Sequence, residues 1–222
     1  GAEAVECGIK IIRKHFYDKG EQDRNRIITF AGAFHGRTIA TISAAGKKKY
    51  LEGFGPILEG FDNVEFNNIR AVKDAINKNT AGILIEPIQG EEGVRVGKKE
   101  FIKDLRKIAN DHNLLLFFDE VQCGVGRTGY LYAYEYYDVL PDIVASAKGI
   151  GGGFPIGVCL ATKNAASGMK IGSHGTTYGG NPLAMAVGNA VFDVILSPNF
   201  LDNIKRSGAI LKDELQNLAK LF

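Results

Sequence analysis

Leu114-Leu-Leu-Phe-Phe-Asp-Glu-Val-Gln-Cys123 and Ile143-Val-Ala-Ser-Ala-Lys-Gly149 are the two stretches whose reading decides the fold. Each is a short apolar run closing on polar residues: Asp119 and Gln122 in the first, Lys148 and a glycine cluster in the second. Runs of this length bounded by turn signals predict strands buried on both faces, the kind that build parallel α/β sheets. Ligands of open α/β sheets sit beyond the carboxyl ends of strands, so Asp119 and Lys148 form a candidate site. On these two residues alone, a buried ion pair accounts for them equally well.

Working outward, Ala81-Gly-Ile-Leu-Ile-Glu-Pro87 predicts another strand, ending in Glu86 because Pro87 stops ladder pairing. Gln89-Gly-Glu-Glu-Gly93 reads as the loop beyond it, and residues 98–112 as a helix with Phe101, Leu105 and Ile108 on its core face. Strand, crossover helix and strand in that order imply a parallel sheet. Near the start, Val5, Ile9, Ile12 and Phe16 recur at helical spacing, with Glu3 and Glu6 in the first turn, where negative charge is favoured. Backbone N–H groups at Gly1 and Ala2 would then point outward as an anion site, although most helix starts hold no ligand. Residues 26–30 read as a strand leading into Ala31-Gly-Ala-Phe-His-Gly-Arg-Thr38, a turn that exposes an aromatic, an imidazole and a guanidinium. A small-residue helix follows over 38–45, an irregular loop over 48–62, a short strand over 64–66 and a helix over 69–78. Beyond an aromatic-rich turn or short helix at 130–137, the Lys148 strand begins. A further strand is expected over 155–162, a glycine-rich turn over 174–182, and helices over 183–196 and from about 199 to the end.

Composition narrows the function classes. The chain has 222 residues, formal charge +2 and 45% hydrophobic residues, which is ordinary for a globular protein. No basic stripe interleaved with aromatics supports a nucleic-acid partner, and Lys47-Lys-Lys49 and Lys98-Lys99 read as solvated helix ends. No apolar stretch is long enough for a bilayer and nothing resembles a signal peptide, so the expected location is the cytoplasm. Cys7, Cys123 and Cys159 suggest neither a disulfide framework nor a zinc cluster, and His15, His35, His112 and His174 lack metal-ligand spacing. The chain opens in one helical pattern at Gly1 and stops in another at Phe222, so it is expected to be a fragment.

Gly124-Val-Gly-Arg-Thr-Gly129 matches a dinucleotide fingerprint, but Tyr130-Leu-Tyr-Ala-Tyr134 is a poor helix opening, and the later strand ends in Lys148 where a ribose-binding carboxylate belongs. Neither a Walker-type loop nor a G-x-S-x-G elbow is present. A pyridoxal 5′-phosphate enzyme needs a lysine to bond the cofactor aldehyde and a carboxylate at the pyridine nitrogen. It also needs an N–H cradle for the phosphate and an aromatic plate on the ring. Lys148, Asp119, Gly1-Ala2 and Phe34 supply all four.

Phe34-His-Gly-Arg-Thr38, Glu86-Pro-Ile-Gln-Gly-Glu91, Phe118-Asp-Glu-Val-Gln122, Gly126-Arg-Thr-Gly129, Lys148-Gly149 and His174-Gly-Thr-Thr-Tyr-Gly-Gly-Asn-Pro182, with Gly1-Ala-Glu-Ala4 before them, resemble the class III, fold type I aminotransferases. The resemblance runs from Gly1 to about Pro182 and implies an α/β, three-layer αβα domain with a mostly parallel sheet. Residues 1–196 would be the large cofactor domain, incomplete at its N-terminus. Residues 197–222 would be a helix leading toward a C-terminal small domain that the chain lacks.

The resemblance also implies roles. Lys148 would bond the cofactor and carry the proton, Asp119 would pair with the pyridine nitrogen, and Gln122 would reach the ring hydroxyl. Phe34 and Val121 would flank the ring, and Gly1 and Ala2 would hold the phosphate; Ala2 stands where the family often has threonine, so backbone contacts must suffice. Thr177 would reach the phosphate of a neighbouring subunit's cofactor, making a homodimer part of the site. Arg37 and Thr176 would bind substrate, and Glu91 would pair with an arginine of the missing domain. Glu86 reads as a supporting acid, and His35 and His174 as hydrogen-bonding turn residues. The implied substrates are an amino acid and a 2-oxo acid, with N-acetylornithine and 2-oxoglutarate the expected pair. Ornithine, succinylornithine or 4-aminobutyrate as donor, an aminomutase on the same scaffold, and an inactive cofactor-binding remnant remain open.

Overall fold

The computed structural model describes residues 1–221; Phe222, the last residue of the expected final helix, lies outside them. Strands β1 (Arg26–Phe30), β2 (Phe61–Val64), β3 (Thr80–Ile85), β6 (Leu115–Asp119), β7 (Ile143–Ser146) and β8 (Val158–Ala161) form one sheet in the order β2-β1-β3-β6-β7-β8. The four pairings from β2 to β7 are parallel, and β8 closes the edge antiparallel to β7.

Helices cover both faces, which is why the central strands lack polar alternation. In β6, Leu115 and Phe117 point toward α1 (Ala2–Asp18) and α2 (Ile39–Ala45), while Leu116 and Phe118 point toward α4 (Ile69–Ala75) and α5 (Lys99–Asp111). The expected core positions Val5, Ile9, Ile12 and Phe16 of α1 are all buried, as are Phe101, Leu105 and Ile108 of α5. Gly8 lets α1 settle on the sheet, since a Cβ there would fall 2.3 Å from the Phe117 ring. The three-layer α/β architecture is therefore as expected.

Several boundaries differ from expectation. The strand expected at 64–66 lies at Phe61–Val64, because its register follows β1, with Ile27 opposite Phe61 and Phe30 opposite Val64. The loop expected over 48–62 accordingly contains the start of β2 and a short helix, α3 (Lys48–Leu51). Helix α4 stops at Ala75, where Ile76 turns extended, three residues before the expected end. The loop after Glu86 carries a small hairpin of β4 (Ile88–Gln89) and β5 (Arg95–Val96), too short to leave a periodic signal. The 130–137 segment resolves into a helix, α6 (Ala133–Tyr137), so no helix opens directly after Gly129 and the dinucleotide reading fails. Helices α7 (Pro182–Ile195) and α8 (Phe200–Ala219) end the chain, and no residue of α8 is buried. Among the described residues no single helix is long and apolar enough to cross a membrane.

Candidate active site

The carboxyl ends of β1, β3, β6 and β7 and the start of α1 converge on a cavity of about 900 Å³. Asp119 enters it from the end of β6 with only 3% of its surface exposed. Its Oδ1 accepts the Val121 N–H at 3.0 Å, and its Oδ2 lies 2.8 Å from Nδ1 of His35, which is 2% exposed. His35 arrives on the turn after β1. That turn closes over the start of α1 because Gly36, at φ 133°, has no side chain; a Cβ there would lie 2.6 Å from that of Ala2. Thr38 caps α2 in reciprocal bonds with Thr41, and its hydroxyl donates to Glu6 of α1 at 2.5 Å, fixing the turn at its far end.

β7 ends at Ser146, and Lys148 begins the turn that follows rather than closing the strand as expected. Its φ of 45° lies in the left-handed region, which is uncommon for a residue with a side chain and marks a position held by its surroundings. Lys148 lines the cavity and forms no ion pair among the described residues. The Asp119–Lys148 ion pair entertained from sequence is therefore not formed: the partner of Asp119 is His35.

Burial opposes charge on His35, but the hydrogen bond and charge of Asp119, with the charge of Glu86, outweigh it and raise the imidazole pKa. Burial pushes Glu86 up to about 7, with the charge of His35 opposing and that of Asp119 adding to the shift. Glu86 Oε1 accepts the Phe34 N–H at 2.8 Å, so this acid holds the aromatic's backbone in place, a supporting role as expected.

Of the residues singled out from sequence, Gly1, Ala2, Phe34, Val121 and Gln122 line the cavity with Asp119 and Lys148. Gly1 sits close to Val121, since a Cβ at Gly1 would be 2.9 Å from Val121 Cγ1. Gln122 folds across Gly90, where a Cβ would collide with its Oε1. Glu91 and Thr176 are exposed at the rim, and His174 ties that rim loop to α1 through Lys10 at 3.0 Å. Two residues stand outside the cavity wall. Thr177 is exposed, and Arg37 lays its guanidinium over the Tyr50 ring at 4.3 Å, with Phe34 at 5.4 Å. Tyr50 escaped the sequence reading because it follows a lysine run that looked like a solvated helix end. Cys7, Cys159 and the 153–157 turn also line the cavity and carried no motif.

The donor set suits pyridoxal phosphate: a 17-residue helix whose first N–H groups open into the cavity, a buried carboxylate fixed on both oxygens, a lysine with no ionic partner and an aromatic ring. The His35 Nε2 is buried without a partner, which leaves one donor or acceptor position of the site open.

Comparison with known proteins is consistent with this chemistry. A family model described as aminotransferase class III matches residues 1–221. An acetylornithine aminotransferase of Agrobacterium fabrum is 61% identical over 218 residues, covering 98% of the chain and 55% of that protein. The chain thus spans about half the length of the curated relatives it matches. Among solved structures, the ornithine aminotransferase of Toxoplasma gondii is 35% identical with a TM-score of 0.93, over 98% of the chain and 52% of that structure. An N-acetylornithine aminotransferase of Stenotrophomonas maltophilia is 37% identical with a TM-score of 0.81, over 100% and 53%.

Proposed function

We propose, from the premise that this chain belongs to the class III aminotransferases, that the protein is a pyridoxal phosphate-dependent transaminase moving the terminal amine of N-acetylornithine to 2-oxoglutarate, a step of arginine biosynthesis. The observation that carries the chemistry is the meeting of buried Asp119, unpaired Lys148 and the α1 start at one cavity. The donor is supported by acetylornithine aminotransferases at 48–61% identity. Ornithine is the second reading, because the Toxoplasma gondii relative with a TM-score of 0.93 is an ornithine aminotransferase.

When bound, the cofactor supplies an electron-withdrawing ring beside the carbon from which the substrate loses its proton. The first N–H groups of α1, around Gly1 and Ala2, bind the phosphate with the favourable end of the helix dipole. Asp119 keeps the proton on the pyridine nitrogen, and His35, donating to Asp119, holds that carboxylate in one orientation. Phe34 and Val121 would flank the ring, and Gln122 would hold its hydroxyl. Lys148 would be the point of covalent attachment, and its Nζ would take the proton from the amine-bearing carbon and hand it to the carbon that was the cofactor aldehyde. Thr176 binds substrate at the rim, Arg37 reaches it on leaving the Tyr50 ring, and Glu91 pairs with an arginine of the small domain. Thr177, exposed here, reaches the cofactor phosphate of a second subunit, so the working unit is a cytoplasmic homodimer. Residues 1–196 form the cofactor domain and α8 leads away toward a small domain. A screen of the full-length protein with acetylornithine, ornithine and 4-aminobutyrate tests the reading. Glutamate formed fastest from acetylornithine supports it; faster turnover of another donor replaces the substrate, and no turnover of any removes the activity.

A further inference from the structure

The cavity wall carries two thiols that transamination leaves unused. Cys7 lies in the second turn of α1 and Cys159 on β8, and both are free, half-buried and part of the same cavity lining. α1 rides closely over this edge of the sheet: a Cβ at Gly157, just before β8, would lie 3.6 Å from that of Ala4. Cys7 lies one helical turn beyond Ala4 and Cys159 two strand residues beyond Gly157, so each shares a face with the close pair, and both cysteines pack on one core cluster.

We propose that Cys7 and Cys159 form an oxidant-responsive pair that closes to a disulfide on reaction with a small-molecule disulfide such as oxidised glutathione. The Cys7 thiolate attacks one sulfur of the oxidant, breaking its S–S bond and expelling one thiolate. Cys159 then gives its proton to water and attacks Cys7 Sγ, expelling the second thiolate. Two protein thiols are oxidised and one external disulfide is reduced to two thiols.

The order of attack follows from the surroundings. Cys7 lies near the N-terminal end of α1, where the helix dipole favours a thiolate, and the Cys159 thiol beside it, opposed by burial and aided by Lys10, lowers its pKa. The Cys7 thiol beside it and burial push Cys159 up, which suits the resolving thiol. The third cysteine, Cys123, is 4% exposed, and burial and the charge of Glu120 push its thiol up, so it serves as an internal control.

The test is peptide mapping of the full-length protein after exposure to oxidised glutathione without reductant. The expected result is equal loss of the free Cys7 and Cys159 peptides, appearance of one cross-linked peptide, and an unmodified Cys123. Cys159→Ser is expected to accumulate glutathione on Cys7, and Cys7→Ser to leave Cys159 free. A lasting glutathione adduct on wild-type Cys7 with no cross-link, equal labelling of Cys123, or no loss of either peptide overturns the proposal. The readout is thiol chemistry alone, so it stands or falls separately from the transamination reading.

Discussion

His35 Nδ1 lies 2.8 Å from Asp119 Oδ2, joining residues 84 positions apart in sequence inside a site where both are buried. This contact, rather than one with Lys148, satisfies the Asp119 carboxylate and leaves the lysine facing the cavity without an ionic partner. His35→Ala would strip the carboxylate to one N–H donor. Losing the partner of a buried charged acceptor costs about 1–3 kcal/mol, so kcat of the full-length enzyme is expected to fall roughly 5- to 150-fold with little change in KM. His35→Asn, which restores a donor near the Nδ1 position, should recover part of the loss. Equal kcat in wild type and His35→Ala would show that the contact is structural only.

Lys148 sits at φ 45°, where a side chain is strained. Lys148→Gly relieves that strain and Lys148→Ala keeps it, so the glycine variant should be the more stable by about 1 kcal/mol in urea unfolding, with both inactive. Equal stability of the two would mean that the backbone relaxes there in solution.

The strands, the positions of Asp119 and Lys148 at one cavity and helix α1 were legible because long apolar runs and helical spacing record burial directly. The His35–Asp119 bond was not, since a turn histidine carries no sign of which strand end it will meet. Strand β2 was displaced in the reading because Phe61-Asp-Asn-Val64 alternates weakly and owes its place to pairing with β1. Arg37 showed the opposite difficulty: the motif identified it, but its stacking on Tyr50 depends on a loop whose path no local pattern fixes.

Two buried acids set a pH dependence. Burial raises Glu86 and Glu120 from 4.5 to about 7 in the folded chain. A carboxyl raised on folding binds its proton more tightly in the native state, so its stabilisation is complete below about pH 4.5 and is lost as pH climbs through 7. For Glu86 the shift corresponds to about 3 kcal/mol. Urea unfolding of the cofactor-free protein should show stability declining between about pH 5 and 8, and Glu86→Gln should flatten that decline. An unchanged slope in the variant would assign the effect elsewhere.

The seat of α1 on the sheet depends on Gly8. A Cβ there would meet the Phe117 ring at 2.3 Å, whereas one at Gly20 meets nothing and is opposed only by its φ of 82°. Gly8→Ala is expected to destabilise by about 1–3 kcal/mol and, because the start of α1 lines the cavity and is proposed to hold the cofactor phosphate, to weaken cofactor retention. Gly20→Ala should cost about 1 kcal/mol without touching the cofactor. Spectroscopic titration with pyridoxal phosphate separates the two, and equal cofactor affinity in both would detach α1 packing from the site.

The most direct test is chemical. Full-length protein supplied with pyridoxal phosphate is reduced with borohydride, digested and mapped. A single pyridoxyl-labelled peptide bearing the label on Lys148 is expected, and none in Lys148→Ala. A label on another lysine, or none on wild type, would contradict the role given to Lys148.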